Sequence, residues 1–385
     1  MPASASPDAT QRRLRAGIVG GGRGAFIGSV HRLAAELDGQ AEVVAGAMSS
    51  DPAVARDSAA AWFLERSYSS YAEMARAEAG HAAGIDFVIV ATPNHLHCPV
   101  ARAFLTQGIH VVCDKPLAAS LAEGEELARL IDGGTTLFAL THNYTGYPMV
   151  REARALVRSG RLGELRKVMV DYAQDWLMEP LERAGNKQAA WRTDPARAGP
   201  GGSVGDIGTH AANLLEFVTG RRIEAVCADL TAFVAGRALD DDASMLIRLE
   251  GGAKGTLSCS QIACGEENEL SLRVYGSQAA LEWRQQEPNT LILKPAGRPW
   301  ELLRSGHAYL GADARAASRT PPGHPEGYLE AFANIYRGFI ADVRRVSAGQ
   351  APLRDYPGVA AGLRGLRFVA QAVASSRAGS VWMRL

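Results

Sequence analysis

The chain of 385 residues has no excess charge of either sign, since 41 Lys and Arg stand against 41 Asp and Glu. That balance removes the broad electrostatic footprint by which proteins hold nucleic acid or an anionic membrane, and it directs attention to a small-molecule ligand. Cysteine is scarce. The five residues Cys98, Cys113, Cys227, Cys259 and Cys264 are odd in number and contain no CxxC pair. Neither a disulfide framework nor a zinc site is indicated, and reduced, mostly buried thiols in a cytoplasmic protein are expected. No stretch approaches the roughly 18 uninterrupted apolar residues of a membrane span. Residues 1–13, rich in Ala, Ser and Pro, lack the apolar core of a signal peptide and read as a disordered tail.

What is present is length enough for two domains, each able to bury a core. From Leu14 to Asn143, short apolar runs at Leu14 to Val19, Glu42 to Met48, Ile85 to Ala91, His110 to Cys113 and Thr136 to Thr141 alternate with helical patterns. Such alternation predicts βαβ units and a parallel sheet, so residues 14–143 are expected to form an α/β dinucleotide-binding domain. Beyond it the period changes to two. Val168, Val170, Tyr172, Gln174 and Trp176 fall on one face of a strand, and further strand-like runs follow at Ile223 to Val234, Ala243 to Leu249, Gly255 to Ile262 and Glu269 to Tyr275. Strands joined by short turns predict a large, mostly antiparallel open sheet, so 144–385 are expected to form an α+β domain. Helices are predicted at about Ile207 to Thr219, Glu326 to Val346 and Val359 to Ser375, and Lys294 to Pro325 reads as a long surface excursion.

The first strand runs into Gly20-Gly21-Gly22-Arg23-Gly24-Ala25 and then an apolar helix, fitting GxGxxA on Gly20, Gly22 and Ala25. Glycine permits the tight turn and close approach of a pyrophosphate, while the helix N-terminus offers free N–H groups. A plain surface loop is the alternative, but a strand before and a helix after favour the dinucleotide. At the second strand tip, where NAD enzymes usually carry an acid, stand Ser49, Ser50 and Asp51. Either Asp51 reaches back to a ribose, or the serines accept the 2′-phosphate of NADP; Asp51 is equally suited to cap the helix starting at Pro52.

Thr92, Pro93, Asn94, His95 and His97 follow the fourth run at the carboxyl end of a parallel strand, where open α/β sheets bind ligands, with Asn94 and His97 expected to face the cofactor. Asp114-Lys115-Pro116 ends the next strand, so Lys115 is expected to enter the same crevice, where a donor that polarises a substrate oxygen is needed; Pro116 is a candidate cis proline. Asp206 and His210 are four apart. In an α-helix they share a face, where the carboxylate would fix the imidazole tautomer and suit it to take an alcohol proton; bracing the helix is the plainer alternative. No third ligand has metal-binding spacing.

The run of GGGRGAFIG, ATPNHLH, CDKPL, THNYTGYP, WRTDPARAG, GDIGTH and GHPEGYLEAF resembles, in order, the Gfo/Idh/MocA family of oxidoreductases. The resemblance extends from about Arg15 to the C-terminus. It implies a Rossmann domain and a second domain whose sheet packs against other subunits as a homodimer or homotetramer. The family's EKP motif stands here as Asp114-Lys115-Pro116, with the lysine kept. By resemblance Lys115, Asp206 and His210 form the catalytic constellation, Phe26, Ile27, Thr92, Pro93 and Asp114 join the cofactor site, and Trp191 and Arg192 close over it. The implied activity is NAD(P)-dependent oxidation or reduction of a ring hydroxyl or carbonyl of a sugar or cyclitol. Redox-neutral glycoside cleavage through transient C3 oxidation is the alternative, and a non-catalytic dinucleotide-binding regulator is disfavoured by Lys115 and His210. Tyr144, Gln174, Trp176, His324 and Tyr328 are expected at the sugar pocket, since polar and aromatic groups suit hydroxyls and ring faces.

Overall fold

The computed structural model describes residues 12–385, so the expected tail lies outside the described residues apart from its last two. Those two are placed: the Arg12 guanidinium meets Asp86 at 2.6 Å, and Arg13 approaches Glu42.

Six strands form the first sheet: β1 (Leu14–Gly20), β2 (Ala41–Ala47), β3 (Arg66–Ser67), β4 (Phe87–Ala91), β5 (His110–Cys113) and β6 (Phe138–Leu140). Their order is β3-β2-β1-β4-β5-β6 and every pairing is parallel. Apart from the short edge strand β3, the strands are buried on both faces, which explains their continuous apolar runs. Phe87 and Ile89 join a core with Val30 and Ala34 of the helix Phe26–Glu36, while Val88 and Val90 join the opposite core with Val100 and Phe104. The helix Tyr328–Ser347 returns from the far end of the chain to the first of these cores through Phe332, Ile335, Tyr336 and Phe339. Strand order reverses between β1 and β4, and their carboxyl ends leave a crevice there.

The second sheet has nine strands: β7 (Leu165–Ala173), β8 (Ile223–Thr231), β9 (Asp242–Leu249), β10 (Lys254–Ser260), β11 (Glu269–Gly276), β12 (Ala279–Arg284), β13 (Thr290–Pro295), β14 (Glu301–Arg304) and β15 (Met383–Arg384). Their order is β14-β13-β12-β11-β7-β10-β9-β8-β15, antiparallel except where β7 lies parallel to β10. One face buries Val168, Val170, Met245, Ile247 and Leu272 against the helices Pro148–Arg158, Thr209–Thr219 and Val359–Arg377. On β9 the alternate residues Ser244, Leu246 and Arg248 face out.

The expected surface excursion at 294–325 is corrected. It contains β14 and the helix Ala312–Ala317, and Leu310 and Ala314 are buried in the second core. A four-residue strand is too short to show alternation, and a helix of ADARAA carries little apolar pattern. The thiols are free, with Cys98, Cys113 and Cys259 buried, Cys227 half-buried and Cys264 exposed. No helix among the described residues is long and apolar enough to cross a membrane.

Candidate active site

A cleft of about 1440 Å³ opens at the carboxyl ends of β1, β4 and β5 and extends to the end of β7. Its floor at the first sheet is glycine for steric reasons. Gly20 has φ +82°, and a Cβ there would lie 2.4 Å from the Ala91 carbonyl oxygen; one on Gly22 would lie 2.5 Å from that of Met48. The loop is thus threaded between the tips of β2 and β4, and only bare backbone fits. The helix Phe26–Glu36 follows with no side-chain cap, so its first-turn N–H groups remain available to an anion. Phe26 and Ile27 line the cleft, as do Ala25, Ser49 and Ser50. Asp51 also lines the cleft, while its Oδ1 accepts from Ala53 N at 2.8 Å and Val54 N at 3.3 Å, capping the helix Pro52–Ala61.

At the tip of β4, Thr92, Pro93, Asn94 and His95 line the cleft. His97 does not, which corrects the expectation. Its ring is fully buried and braces two loops, with Nδ1 2.6 Å from the Pro116 carbonyl and Nε2 2.8 Å from that of Thr92. Helical geometry explains the exchange: the turn Asn94–Leu96 rotates His97 inward as the first residue of the helix His97–Leu105.

Lys115 ends β5 before a cis peptide to Pro116. Its Nζ donates to Asp206 Oδ1 at 2.5 Å and to the Asp206 carbonyl at 2.8 Å. Asp206 Oδ2 accepts from Gln261 Nε2 at 2.9 Å and Arg192 Nε at 3.2 Å. Burial alone would raise the Asp206 carboxyl, but the charges of Lys115 and Arg192 and the bonds from Lys115 and Gln261 prevail and hold it far below the ordinary range. Asp114 is likewise held low. Burial opposes this, but His31 and Lys115 outweigh it.

The expected Asp206–His210 pair is corrected. Residues Val204–Gly208 form a π-helical turn ahead of the helix Thr209–Thr219, and i→i+5 bonding changes the angular offset that α-helical spacing predicts. The turn is held by Asp240, whose carboxylate accepts from Gly202 N, Ser203 Oγ and Val204 N. Asp206 consequently serves Lys115, while His210 Nδ1 is buried with no partner. The His210 ring packs edgewise, with centroids 4.9 Å from Tyr144 and 5.4 Å from His142. Burial, reinforced by the Lys115 charge, drives its pKa well down, so the ring is neutral.

Tyr144, Gln174, Trp176 and Tyr328 line the far side of the cleft, as do Trp191 and Arg192. The Arg192 guanidinium lies 4.1 Å from the Trp191 ring centroid and 5.8 Å from that of Trp176. His324 is corrected: it is exposed, with Nδ1 3.3 Å from the Pro322 carbonyl, and is not among the cleft residues. The turn that carries it is held by Glu326, which accepts from Thr320 N at 2.7 Å and from Arg319 N.

Sequence reading missed Gln261, Asn268 and His142. Ser260 and Glu269 both pair with Ala173, so register places Gln261 and Asn268 beside Gln174. Only the pairing of β10 and β11 with β7 could have signalled those two, whereas His142 stands within the THNYTGYP motif, two residues before Tyr144. No cluster of three metal-ligating side chains occurs among the described residues. The cleft suits a dinucleotide: a glycine cradle that a Cβ would fill, an uncapped helix start, and buried Thr92 Oγ1 and Asn143 Nδ2 lacking partners.

Comparison with known proteins agrees. A family profile described as an oxidoreductase family with NAD-binding Rossmann fold matches residues 14–142, and a GFO/IDH/MocA C-terminal domain profile matches 150–282. An uncharacterized oxidoreductase, YfiI of Bacillus subtilis, is 33% identical over 96% of each chain. The crystal structure of an inositol dehydrogenase homologue from Azotobacter vinelandii, complexed with NAD+, superposes with a TM-score of 0.93 at 36% identity, covering 97% of this chain and 98% of that one. The same homologue has been crystallised with NADH and myo-inositol, with TM-score 0.89 and 35% identity over the same shares. Levoglucosan dehydrogenase of Pseudarthrobacter phenanthrenivorans is 26% identical over 73% of this chain and 76% of its own.

Proposed function

The chain belongs to the Gfo/Idh/MocA family of NAD-binding oxidoreductases, and we propose that it is a dehydrogenase of a ring hydroxyl on a sugar or cyclitol. The observation carrying this reading is the Lys115–Asp206 pair beside a neutral, unpartnered His210, where the glycine cradle meets a polar wall.

In this proposal Gly20, Gly22, Ala25, Phe26 and Ile27 receive the pyrophosphate side of the cofactor. Ser49 and Ser50 receive the adenosine ribose, and Thr92, Pro93, Asn94 and Asp114 the nicotinamide side. Bound NAD supplies the hydride acceptor. His210 accepts the proton of the reacting hydroxyl, for which a neutral imidazole is required. Lys115 donates a hydrogen bond to the same oxygen, and Asp206 acts by positioning Lys115. Trp191 and Arg192 cover the cofactor, while Tyr144, Gln174, Trp176 and Tyr328 hold the remaining ring hydroxyls. Serine at the β2 tip neither repels a 2′-phosphate nor grips both ribose hydroxyls, which supports NADP as a second cofactor.

Residues 14–143 are assigned to the cofactor and 144–385 to substrate and assembly, with the helix Tyr328–Ser347 packed back onto the first sheet. The outer face of the second sheet, with Leu246 and Leu302 exposed, supports a homodimer or homotetramer through that sheet, and unpaired thiols support a cytoplasmic setting.

A panel of sugars, cyclitols and aryl glycosides, followed for both NAD(P)H and aglycone, tests the reading. NADH equal to product supports it, whereas aglycone release with no net NADH replaces it by redox-neutral glycoside cleavage.

A further inference from the structure

The wall of the cleft beside His210 carries a hydrogen-bond chain whose direction one atom sets. The Trp176 indole Nε1 donates and cannot accept, so the Gln174 atom it meets at 3.0 Å is the carbonyl oxygen. Gln174 Nε2 therefore faces Asn268 at 2.7 Å, and the atom receiving it is the Asn268 carbonyl oxygen. The Tyr172 hydroxyl, 2.8 Å from that same oxygen, must donate as well. Tyr144 is bonded to Tyr172 through their hydroxyls, and Asn268 Nδ2 reaches the Tyr144 oxygen at 3.4 Å. The three groups close a ring in which Asn268 donates to Tyr144, Tyr144 to Tyr172, and Tyr172 back to Asn268. Both amide carbonyls are thereby engaged within the wall, and each amide keeps one unused N–H. All five side chains line the cleft.

We propose that Asn268 is a specificity-determining residue that makes this wall a donor surface, selecting neutral polyols over amino sugars and aminocyclitols. The proposal rests on the dehydrogenase reading above and narrows its substrate class. A hydroxyl oxygen accepts from the two unused amide N–H groups, whereas an ammonium, with three donors and no acceptor, gains nothing from them and is offered only the one lone pair that Trp176 leaves on Gln174 Oε1. The buried carboxylate nearby, Asp206, is already bonded to Lys115, Arg192 and Gln261, and Glu267 stands at the exposed rim.

The experiment compares kcat/KM at pH 7 for myo-inositol and D-glucose with their aminodeoxy analogues, the amine placed at successive ring carbons. Wild type, Asn268→Asp and Trp176→Phe are each measured, and NADH binding reports that each variant is folded. Wild type is expected to favour the neutral compound by about ten- to a hundredfold where the amine meets the wall. Asn268→Asp, which turns a donor into an acceptor, should reduce that ratio at least about tenfold. Trp176→Phe leaves Gln174 Oε1 without its donor, so the wall gains a free acceptor and the ratio should move the same way; it carries the test alone if Asn268→Asp fails to bind NADH. Equal use of amino and neutral compounds by wild type, or unchanged ratios in the folded variants, overturns the proposal while leaving the dehydrogenase reading intact. NADH binding without turnover of any neutral polyol overturns the dehydrogenase reading, and this proposal with it.

Discussion

Removing the Asp206 carboxylate should be felt through Lys115 and scarcely through His210, and two double-mutant cycles measure this. At 2.5 Å, with an effective dielectric of about 20, the raw attraction between Lys115 and Asp206 is roughly 6 to 7 kcal/mol. Their side chains are only 13% and 17% exposed, so the desolvation of two charges cancels much of it, leaving an expected coupling of about 2 to 4 kcal/mol. Lys115→Met does not strand the carboxylate, because Arg192 and Gln261 still bond Oδ2. The single variant should therefore cost about 2 kcal/mol of stability, less than the roughly 3 to 5 of an abandoned buried charge. Urea unfolding of the ligand-free protein gives the first cycle with Lys115→Met and Asp206→Asn, and the second with His210→Ala and Asp206→Asn. The second should couple by less than about 1 kcal/mol, since no bond joins those side chains. Lys115→Met should also lower kcat/KM by about two to four orders of magnitude on any accepted polyol, with NADH binding largely kept. A strong Asp206–His210 coupling beside a weak Lys115 coupling would refute the assignment of Asp206 to the lysine.

Acid should destabilise the fold through its neutral histidines. Burial, followed by the Lys115 charge, lowers His142 to about 3 and His210 well below the ordinary value. The unfolded chain therefore binds more protons below about pH 6.5, and stability present above that pH is lost as pH falls, by about 2 kcal/mol for each ring between about pH 7 and 5. Urea midpoints across that range should flatten in His142→Asn/His210→Asn, and an unchanged slope would place the titrating groups elsewhere. Ser49→Asp should sharpen selection of NAD over NADP by roughly 1 to 3 kcal/mol in measured dissociation constants, whereas Asp51→Ala, whose carboxylate is taken up by a helix cap, should leave the ratio unchanged and cost about 1 kcal/mol of stability. Gly22→Ala should abolish tight NADH binding, because its Cβ would press to 2.5 Å on the Met48 carbonyl; retained affinity would mean that the loop yields.

By itself the sequence determined the elements whose signals are local. The parallel strands are read from their buried runs, the cofactor loop from glycines at positions where no Cβ fits, and Lys115 from its place at a strand end. It also determined the family, because whole motifs recur in order. Tertiary structure alone decided which groups meet. Asn268 reaches the cleft and Gln261 reaches Asp206 through strand register across long separations, and β14 and the helix Ala312–Ala317 are too short to show a period. Asp206 and His210 both line the cleft but share no bond: Asp240, more than thirty residues away, holds the π-helical turn from which Asp206 meets Lys115, and α-helical spacing foresees neither contact. His97 and His324 mark the same boundary: a histidine beside a motif is polar enough to bind a ligand or a carbonyl, and only packing determined that one braces two loops and the other faces water. Hydrophobic period and backbone sterics act within a few residues, whereas the partner of a polar side chain is set by whatever the fold brings within about 3 Å.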